Sequence, residues 1–466
     1  METLQRTANR GSVSTGAYEV GNSLKFEPDN SEYLKWTDIS TYATSARKKT
    51  FSFSVWFKIS ELGVQRTIWS TAANGYLLLQ ADGELKWQQS YNSSVKVLQT
   101  NRVLRDTSAW YNVIVAVDTT QSTEANRQRI YINGVEETSF STSTYPSQND
   151  EADNVYQSFH SLGAYNASSI FWSGYMCDVA FISDAQITPS DVGEFDEDSG
   201  IWKPKSYSGG SAPSYFLEFK DSSDLGSATG LDADTLNNIT AADQATDTCT
   251  NNFCTFNVLV QTDNKPTINE GAMHVAGGGG NWNNAYGSLG VQNGKWYYEY
   301  KVTSTEIGFF GASTFPDTSD DATSIQFMYD QSFTIGYAAA HYYQRINGSQ
   351  ISNESTGWGT TSTNDIYGLF LNLDDQEFTV ARNGSVLSGT LSQPVSLNSA
   401  FSNNFVFPCN TQYEDDGGEF NFGGYTLISN TKSYNDANGY GNFVYSPVLS
   451  GVNYYSICTK NIAEFG

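Results

Sequence analysis

Alternation of apolar and polar residues is the clearest pattern in this chain, and it predicts β-strands. In the segment Phe51-Ser-Phe-Ser-Val-Trp-Phe57 every second residue is apolar, which places Phe51, Phe53, Val55 and Phe57 on one face of a strand. No long stretch shows the Ala, Leu, Glu and Lys pattern of an amphipathic helix. The sequence therefore predicts an all-β fold.

Further strands and tight turns follow in the first part of the chain. Residues 110–117 alternate through three valines, and residues 129–134 end in Asn-Gly, the strongest short signal of a β-hairpin. The order of these segments, closed by a strand with a flanking glycine at 171–181, resembles a laminin-G-like, concanavalin-A-type jelly roll. This resemblance implies an antiparallel β-sandwich, which we expect at residues 21–184.

A second set of strands is predicted between residues 256 and 425. The segment Gly294-Lys-Trp-Tyr-Tyr-Glu-Tyr-Lys-Val302 alternates, and a strand at 366–375 precedes a hairpin at 377–384 that again ends in Asn-Gly. The order of Gly-Lys-x-Tyr-x-Glu, a strand ending in aspartate and a Phe-x-x-x-x-Asn-Gly hairpin resembles a SPRY-type sandwich. We therefore expect two tandem antiparallel β-sandwiches, a jelly roll and then a SPRY-like domain.

Three segments lie outside the predicted sandwiches. Residues 1–20 form a polar N-terminal arm, residues 185–255 are predicted to be an extended connector, and residues 426–466 form a C-terminal segment. The connector is first acidic, then rich in Ser, Gly and Pro, and then polar with few apolar residues. Its phrases at 215–226 and 247–254 resemble the joint between such domains in virion proteins of tailed, often marine, bacteriophages.

The charge balance narrows the range of partners. The chain has 50 acidic and 25 basic residues, a formal net charge of −25. Such a surface repels phosphate backbones, so we expect no nucleic-acid partner. The surplus of acidic residues either supports solubility or suits a salt-rich environment. Composition does not separate these two explanations.

The polar N-terminal residues and the hydropathy of the chain are relevant to its cellular location. The first 17 residues contain no apolar run of the kind found in signal peptides, and no segment has the length of a membrane span. We therefore expect no membrane insertion, and either the chain stays where it is made or it leaves the cell by a route such as lysis that releases assembled particles. Together with the resemblance to phage virion proteins, this implies a protein that is made in the host cytoplasm and resides in a virion.

One acidic segment offers the carboxylate spacing that a glycosidase of the jelly-roll type would need. A retaining glycosidase needs two carboxylates about 5 Å apart, and Glu194, Asp196 and Asp198 alternate as such a pair would. These three residues lie in the predicted connector without a flanking apolar strand, so we interpret them as part of a solvated acidic loop. The remaining nucleophile and general-base patterns are also absent from the sequence, and we expect no enzyme activity. The three histidines, which show neither metal-binding nor catalytic spacing, are His160, His274 and His341.

Metal and cofactor sites find little support in the sequence. Asp374-Asp375 and the segment 414–418 offer carboxylates for calcium, but neither follows a regular ligand spacing. We predict no cofactor and no metal, with calcium as the alternative. The cysteines, which lack zinc-site spacing and are expected to be free apolar residues, are Cys177, Cys249, Cys254, Cys409 and Cys458.

Aromatic residues between strands provide the candidate binding site. Such rings stack on sugars or anchor a protein partner, although packing within the core is the alternative role for each of them. The candidate receptor- or glycan-binding residues are Tyr342, Tyr343, Trp358, Trp282 and Tyr286.

Together these features favour a structural and recognition protein of a phage virion. We expect a tail-fibre-like adhesin, or a head or tail decoration subunit, that binds a host receptor or glycan or neighbouring virion proteins, and we expect a homo-oligomer. The alternative is a secreted glycan-binding lectin or a glycoside hydrolase of the jelly-roll type.

Overall fold

The computed structural model shows two compact units, Met1–Asn252 (unit 1) and Phe253–Gly466 (unit 2). The structure describes residues 18–466 except 198, 260–265, 278–281, 305–307, 315–333, 339–342, 347–348, 354–360, 388–392, 414–416 and 426–430.

Unit 1 is built from short antiparallel strands. They are β1 (Ser23–Phe26), β2 (Tyr33–Trp36), β3 (Thr50–Ile59), β4 (Arg66–Thr71), β5 (Tyr76–Leu79), β6 (Glu84–Tyr91), β7 (Ser94–Val103), β8 (Trp110–Asp118), β9 (Gln128–Ile132), β10 (Val135–Glu136), β11 (Phe140–Ser143), β12 (His160–Leu162), β13 (Gly174–Ser183), β14 (Gly193–Phe195), β15 (Trp202–Pro204), β16 (Pro213–Leu217), β17 (Thr229–Gly230), β18 (Thr235–Asn237) and β19 (Gln244–Ala245).

These strands form two large sheets. The first sheet runs in the order β10-β9-β8-β3-β13-β1-β19, and the second runs β11-β7-β6-β5-β4-β12-β2-β18. The long strand β13 has a bulge at Asp178, where the backbone adopts a φ of 45°. On one side of this bulge β13 pairs with β1, and on the other side it pairs with β16, which extends the first sheet through β17.

Large aromatic residues fill the space between the two sheets. Phe51, Phe53, Val55 and Phe57 of β3 all belong to this core, as their alternation predicts. The Phe53 ring lies 5.5 Å from the Trp69 ring of the opposite sheet, measured between centroids. The all-β, antiparallel sandwich predicted for this part of the chain is therefore confirmed.

Residues 185–252, which were expected to form an extended connector, are part of unit 1. Strands β16, β18 and β19 of this segment join the two large sheets. The segment also covers the outer face of the first sheet, where Ile187 packs with Ile114 and Ile182. Burial on this second face explains why Trp56 and Lys58 of β3, which alternate with the core residues, are also buried.

Unit 2 is also built from antiparallel strands. They are β20 (Thr267–Asn269), β21 (His274–Ala276), β22 (Trp282–Tyr286), β23 (Lys295–Val302), β24 (Gly308–Ser313), β25 (Thr334–Ala338), β26 (Tyr343–Ile346), β27 (Ser349–Asn353), β28 (Ile366–Asn372), β29 (Glu377–Arg382), β30 (Ser385–Val386), β31 (Val395–Ser396), β32 (Phe407–Tyr413), β33 (Gly417–Asn421), β34 (Tyr434–Asn435), β35 (Asn442–Phe443), β36 (Val448–Leu449) and β37 (Val452–Asn453).

Two sheets of unit 2 face each other. One has the order β20-β21-β33-β23-β28-β29-β30, with β31 also on β29, and the other has the order β22-β32-β24-β25-β26-β27. Between them Tyr300 of β23 stacks on Phe310 of β24, with ring centroids 4.3 Å apart. The C-terminal segment covers the outer face of the first of these sheets, where Phe443 packs against Tyr297.

Helices are short in the described part of the chain. The two α-helices there are α1 (Ser45–Lys49) and α2 (Thr459–Phe465), and none of the described helices is long and apolar enough to span a membrane. Five buried residues carry thiols, namely Cys177, Cys249, Cys254, Cys409 and Cys458.

His160 is enclosed in the core of unit 1 as a neutral imidazole. Its Nε2–H donates to the carbonyl oxygen of Val155 at 2.6 Å, and its Nδ1 accepts from the Tyr215 hydroxyl at 3.2 Å. That hydroxyl in turn accepts from Trp69 Nε1 at 3.0 Å. Burial lowers the pKa of His160 from 6.5 to about 3, because the charged form would lose its hydration.

This depressed pKa predicts acid sensitivity of unit 1. Between pH 6.5 and about 3 the unfolded chain binds a proton at this histidine that the folded chain does not, so stability falls as the pH falls. We expect His160→Gln to make the free energy of unfolding less pH-dependent in this window, by up to about 1.4 kcal/mol per pH unit. Denaturant titrations at several pH values measure this slope, and equal slopes for the two proteins would contradict the prediction.

Candidate functional site

A polar groove of about 580 Å³ opens on unit 1. It is bordered by the end of α1, the β4–β5 turn, the β6–β7 turn and residues 151–157. The residues that line it are Lys48, Ala73, Asn74, Ser90, Asn92, Ser93, Val95, Glu151, Ala152, Asp153, Asn154 and Gln157.

The β6–β7 turn forms one wall of this groove. Asn92 and Ser93 have φ values of 48° and 61°, the combination of a type I′ turn, which matches the twist of a two-residue hairpin. Both turn amides donate to the Asp153 carboxylate, Asn92 N at 3.1 Å and Ser93 N at 2.7 Å. The carboxylate of Asp153 is therefore used to hold the turn.

Backbone hydrogen bonds fix the other walls. The amide of Ala152 donates to the carbonyl of Lys48 at 2.9 Å, and the amide of Asp153 donates to the carbonyl of Ser90 at 2.8 Å. The side-chain amide of Asn154 donates to the carbonyl of Ala73. Four segments that are distant in sequence are thus joined around the groove, which gives it a preorganised shape.

The side chains that face solvent in the groove are mostly neutral and polar. Asn74, Asn92, Ser93 and Gln157 are exposed and carry amides or hydroxyls, and Val95 adds an apolar patch that is 44% exposed. Amides and hydroxyls both donate and accept hydrogen bonds, as do the hydroxyls of a sugar. The groove is therefore suited chemically to a polyhydroxylated ligand.

Unit 2 carries a second and smaller candidate, an aromatic pocket of about 190 Å³. Strands β23, β28 and β29 form its floor, and the segment 434–449 forms its outer wall. The residues that line it are Tyr297, Gly368, Phe370, Ala381, Gly384, Val386, Tyr434, Tyr445, Ser446, Val448 and Leu449.

A buried carboxylate holds the outer wall of this pocket. Glu299 accepts from the amides of Val444 at 3.1 Å and Tyr445 at 2.8 Å, and from the Asn421 side chain at 2.8 Å. The Tyr297 hydroxyl, which lines the pocket, donates to the same carboxylate at 3.2 Å. Burial raises the pKa of Glu299, and these four donors act in the opposite direction.

Among the sequence-predicted aromatic site residues, Tyr286 has a side chain that the structure describes. Tyr286 is only 1% exposed, so its ring belongs to the interior of unit 2. Tyr342 and Trp358 lie outside the described residues. The side chains of Trp282 and Tyr343 also lie outside them, although their backbones belong to β22 and β26.

Sequence reasoning missed the groove of unit 1. The one local signal was Asn92-Ser93 between two alternating segments, which is typical of a hairpin turn. Nothing in that signal indicates that Asp153, about 60 positions later, would border the same opening.

The acidic segment considered for catalysis forms a small hairpin of β14 and β15. Lys203 lies 3.4 Å from Glu194 and 3.3 Å from Asp196, and Asp198 lies outside the described residues. The amide and hydroxyl of Ser199 lower the pKa of Asp196 to about 2. Asp196 is therefore ionised at neutral pH, unlike the protonated acid that a glycosidase requires.

The carboxylates considered for calcium are only partly described. Asp375 pairs with Lys295 at 2.6 Å, and residues 414–416 lie outside the described part. Among the described residues no group of three or more His, Cys, Asp or Glu side chains is arranged to hold a metal ion.

Comparison with known families identifies the first domain. Residues 28–193 match the family model Laminin_G_3, described as the Concanavalin A-like lectin/glucanases superfamily. The antiparallel sandwich of unit 1 is thus similar to a concanavalin A-like jelly roll, in agreement with the laminin-G-like resemblance of the sequence. The match covers less than half of the chain, and no curated protein sequence matches the chain.

Several solved structures are similar in part. The SPRY domain of human HERC1 shares 15% identity at a TM-score of 0.28, covering 35% of this chain and 96% of that chain. The TRIM65 PSpry domain shares 14% identity at 0.28, covering 36% and 88%. The heptameric SAP-like pentraxin from Limulus polyphemus shares 15% at 0.26, covering 37% and 80%. At these TM-scores the similarities support no comparison of function.

The role of Glu299 in unit 2 leads to a direct prediction. Glu299→Ala leaves the backbone amides of Val444 and Tyr445 without their buried acceptor, which we expect to lower the free energy of unfolding by at least about 2 kcal/mol. Hydrogen exchange at Val444 and Tyr445 should become faster. Glu464→Ala is the matched control, because that exposed carboxylate accepts from the side chain of Asn438. Unchanged exchange at both amides in Glu299→Ala would contradict the assigned role.

Proposed function

We propose that this chain is a non-enzymatic recognition protein whose unit 1 binds glycans in the polar groove. The observation that carries this proposal is the composition of the groove, where exposed amide and hydroxyl side chains stand on three of the four segments that hydrogen bonds join. A preformed site of this kind loses little conformational entropy on binding. The concanavalin A-like fold is consistent with binding but does not by itself define a ligand.

The groove supports binding better than hydrolysis. Two acidic residues line it, Glu151 and Asp153. Both oxygens of Asp153 accept turn amides, and Glu151 accepts from the Ser45 hydroxyl and lies 4.0 Å from Lys49. Hydrolysis would require one of these carboxylates to give up its structural partner and act as an acid or nucleophile. We therefore favour a binding protein over the glycoside hydrolase that is the alternative.

We further propose that the protein is a virion component, either a tail-fibre-like adhesin or a head or tail decoration subunit. The resemblance of the phrases at 215–226 and 247–254 to phage virion proteins supports this location. The proposed partners are a host surface glycan or receptor and neighbouring virion proteins, with self-association into a homo-oligomer.

Binding in the groove can be tested with one substitution and one control. Gln157→Ala removes an exposed amide from the groove, and we expect it to weaken glycan binding about tenfold, the loss expected for one or two hydrogen bonds. Gln148→Ala is the control, since that exposed glutamine lies on the same loop outside the groove lining. Glycan-array screening followed by calorimetry with the best ligand measures both. Equal affinities of the two variants would exclude the groove, and release of reducing ends would favour the hydrolase.

The proposed location has a separate test. Mass spectrometry of purified phage particles from the source culture should find this protein in stoichiometric copy number. Its absence from purified particles would overturn the virion assignment and leave the glycan-binding proposal unaffected.

A further inference from the structure

Lys58, Asp247 and Asn252 form a buried cluster in unit 1 that none of the binding surfaces uses. Lys58 Nζ donates to Asp247 Oδ2 at 2.8 Å and to Asn252 Oδ1 at 2.7 Å. The side chains of Lys58 and Asp247 are 1% and 2% exposed, and Asn252 is fully buried. The Lys58 amine thus contacts both a carboxylate and a carboxamide in a site closed to water.

Neighbouring groups fix the orientation of each member. Lys58 lies in β3 between Trp110 of β8 and Tyr175 of β13, which are its partners in register. Trp110 Nε1 donates to Asp247 Oδ1 at 3.1 Å, which leaves Asp247 Oδ2 directed at the lysine. The Asn252 side-chain nitrogen donates to the carbonyl of Ser108, so its Oδ1 is the atom directed at the lysine.

We propose that Lys58 and Asn252 join through an intramolecular amide bond, with Asp247 as the group that moves the protons. Lys58 Nζ lies 2.7 Å from Asn252 Oδ1. This oxygen is bonded to Cγ, the atom that Nζ would attack. The site is closed to bulk water, which would otherwise compete with the amine for the carboxamide carbon. Fixed positions of amine and carboxamide replace a bimolecular encounter.

The reaction is balanced without any other reagent. Asp247 takes one proton from the Lys58 ammonium, and the neutral Nζ attacks Cγ of Asn252. The new Nζ–Cγ bond forms, the Cγ–Nδ2 bond breaks, and the second proton lost by Nζ passes to Nδ2, which leaves as ammonia. Asp247 then returns its proton to the ammonia or to solvent. No atom changes its oxidation state.

Unit 2 contains an exposed counterpart that serves as an internal comparison. Lys295 Nζ donates to Asn372 Oδ1 at 2.8 Å and to Asp375 Oδ2 at 2.6 Å. These distances are close to those of the buried cluster, but the Lys295 and Asp375 side chains are 22% and 63% exposed. Water reaches both the lysine and the carboxylate at this site, so we expect no amide bond at Lys295.

Intact-mass measurement of the full-length folded protein tests the proposal. We expect a mass lower than that of the sequence by one molecule of ammonia, and a protease digest should contain a branched peptide linking Lys58 to Asn252. Two molecules of ammonia would be lost if the exposed site reacted as well. Asp247→Asn should retain the full mass because it lacks the proton acceptor, and Lys58→Arg should retain it because it lacks the nucleophile.

Several outcomes would overturn the amide bond. The wild-type protein could keep its full mass after prolonged incubation in the folded state, which decides the question even if both variants fail to fold. The lost ammonia could instead map to succinimides at Asn-Gly pairs such as Asn74-Gly75. An unchanged mass loss in Lys58→Arg would also exclude the bond. A branched peptide in Asp247→Asn would show that the bond forms without Asp247 and would overturn the proton-transfer role of that residue.

Discussion

The constraint on which this structure depends is that its central strands must be buried on both faces. In β3 the even-numbered residues Trp56 and Lys58 are as inaccessible as Phe53 and Phe57, which face the opposite sheet. A two-layer sandwich covers only one face of each sheet. Unit 1 therefore needs residues 185–252 as a further cover, and unit 2 uses its C-terminal segment in the same way over Tyr297.

These covering segments create the features that distinguish the molecule. In unit 1 the cover delivers Asp247 and Asn252 to Lys58, and in unit 2 it provides the wall of the aromatic pocket above Glu299. Polar groups enclosed in this way must form hydrogen bonds. A buried polar group without a partner costs more free energy than a formed hydrogen bond contributes. The apolar residues between the two sheets stabilise each sandwich. The polar clusters around Lys58 and Glu299 lie instead on the outer faces, beneath the covering segments.

Much of the fold could be predicted from alternation. Strands β3, β8 and β23 lie where the pattern indicates, and the Asn-Gly turns at Asn133 and Asn383 have the positive φ values of hairpin turns. The covering strands escaped prediction because they are short. Strand β19, for example, has two residues and is recognised only by its backbone pairing with β1. A pattern of side chains cannot reveal an element that is defined by backbone hydrogen bonds alone.

The candidate sites were harder to predict than the fold. The aromatic richness of the chain suggested rings as ligand contacts, but in the described residues large rings such as Trp69 and Trp87 are used in the core. The groove is made instead by small polar residues from four distant segments. Such residues are common throughout this sequence, so only the folded arrangement distinguishes those that line an opening from those that face solvent singly.

The position of Asn252 has a mechanical consequence. It is the last residue of unit 1, so tension transmitted along the chain from Phe253 reaches unit 1 at this point. Its side chain is held by Lys58, and β3 lies between β8 and β13 in the interior of its sheet. The proposed amide bond between Asn252 and Lys58 would pass load to an interior strand, whose hydrogen bonds to both neighbours must be sheared together. The load would then bypass the edge strand β19, which can be peeled away one hydrogen bond at a time.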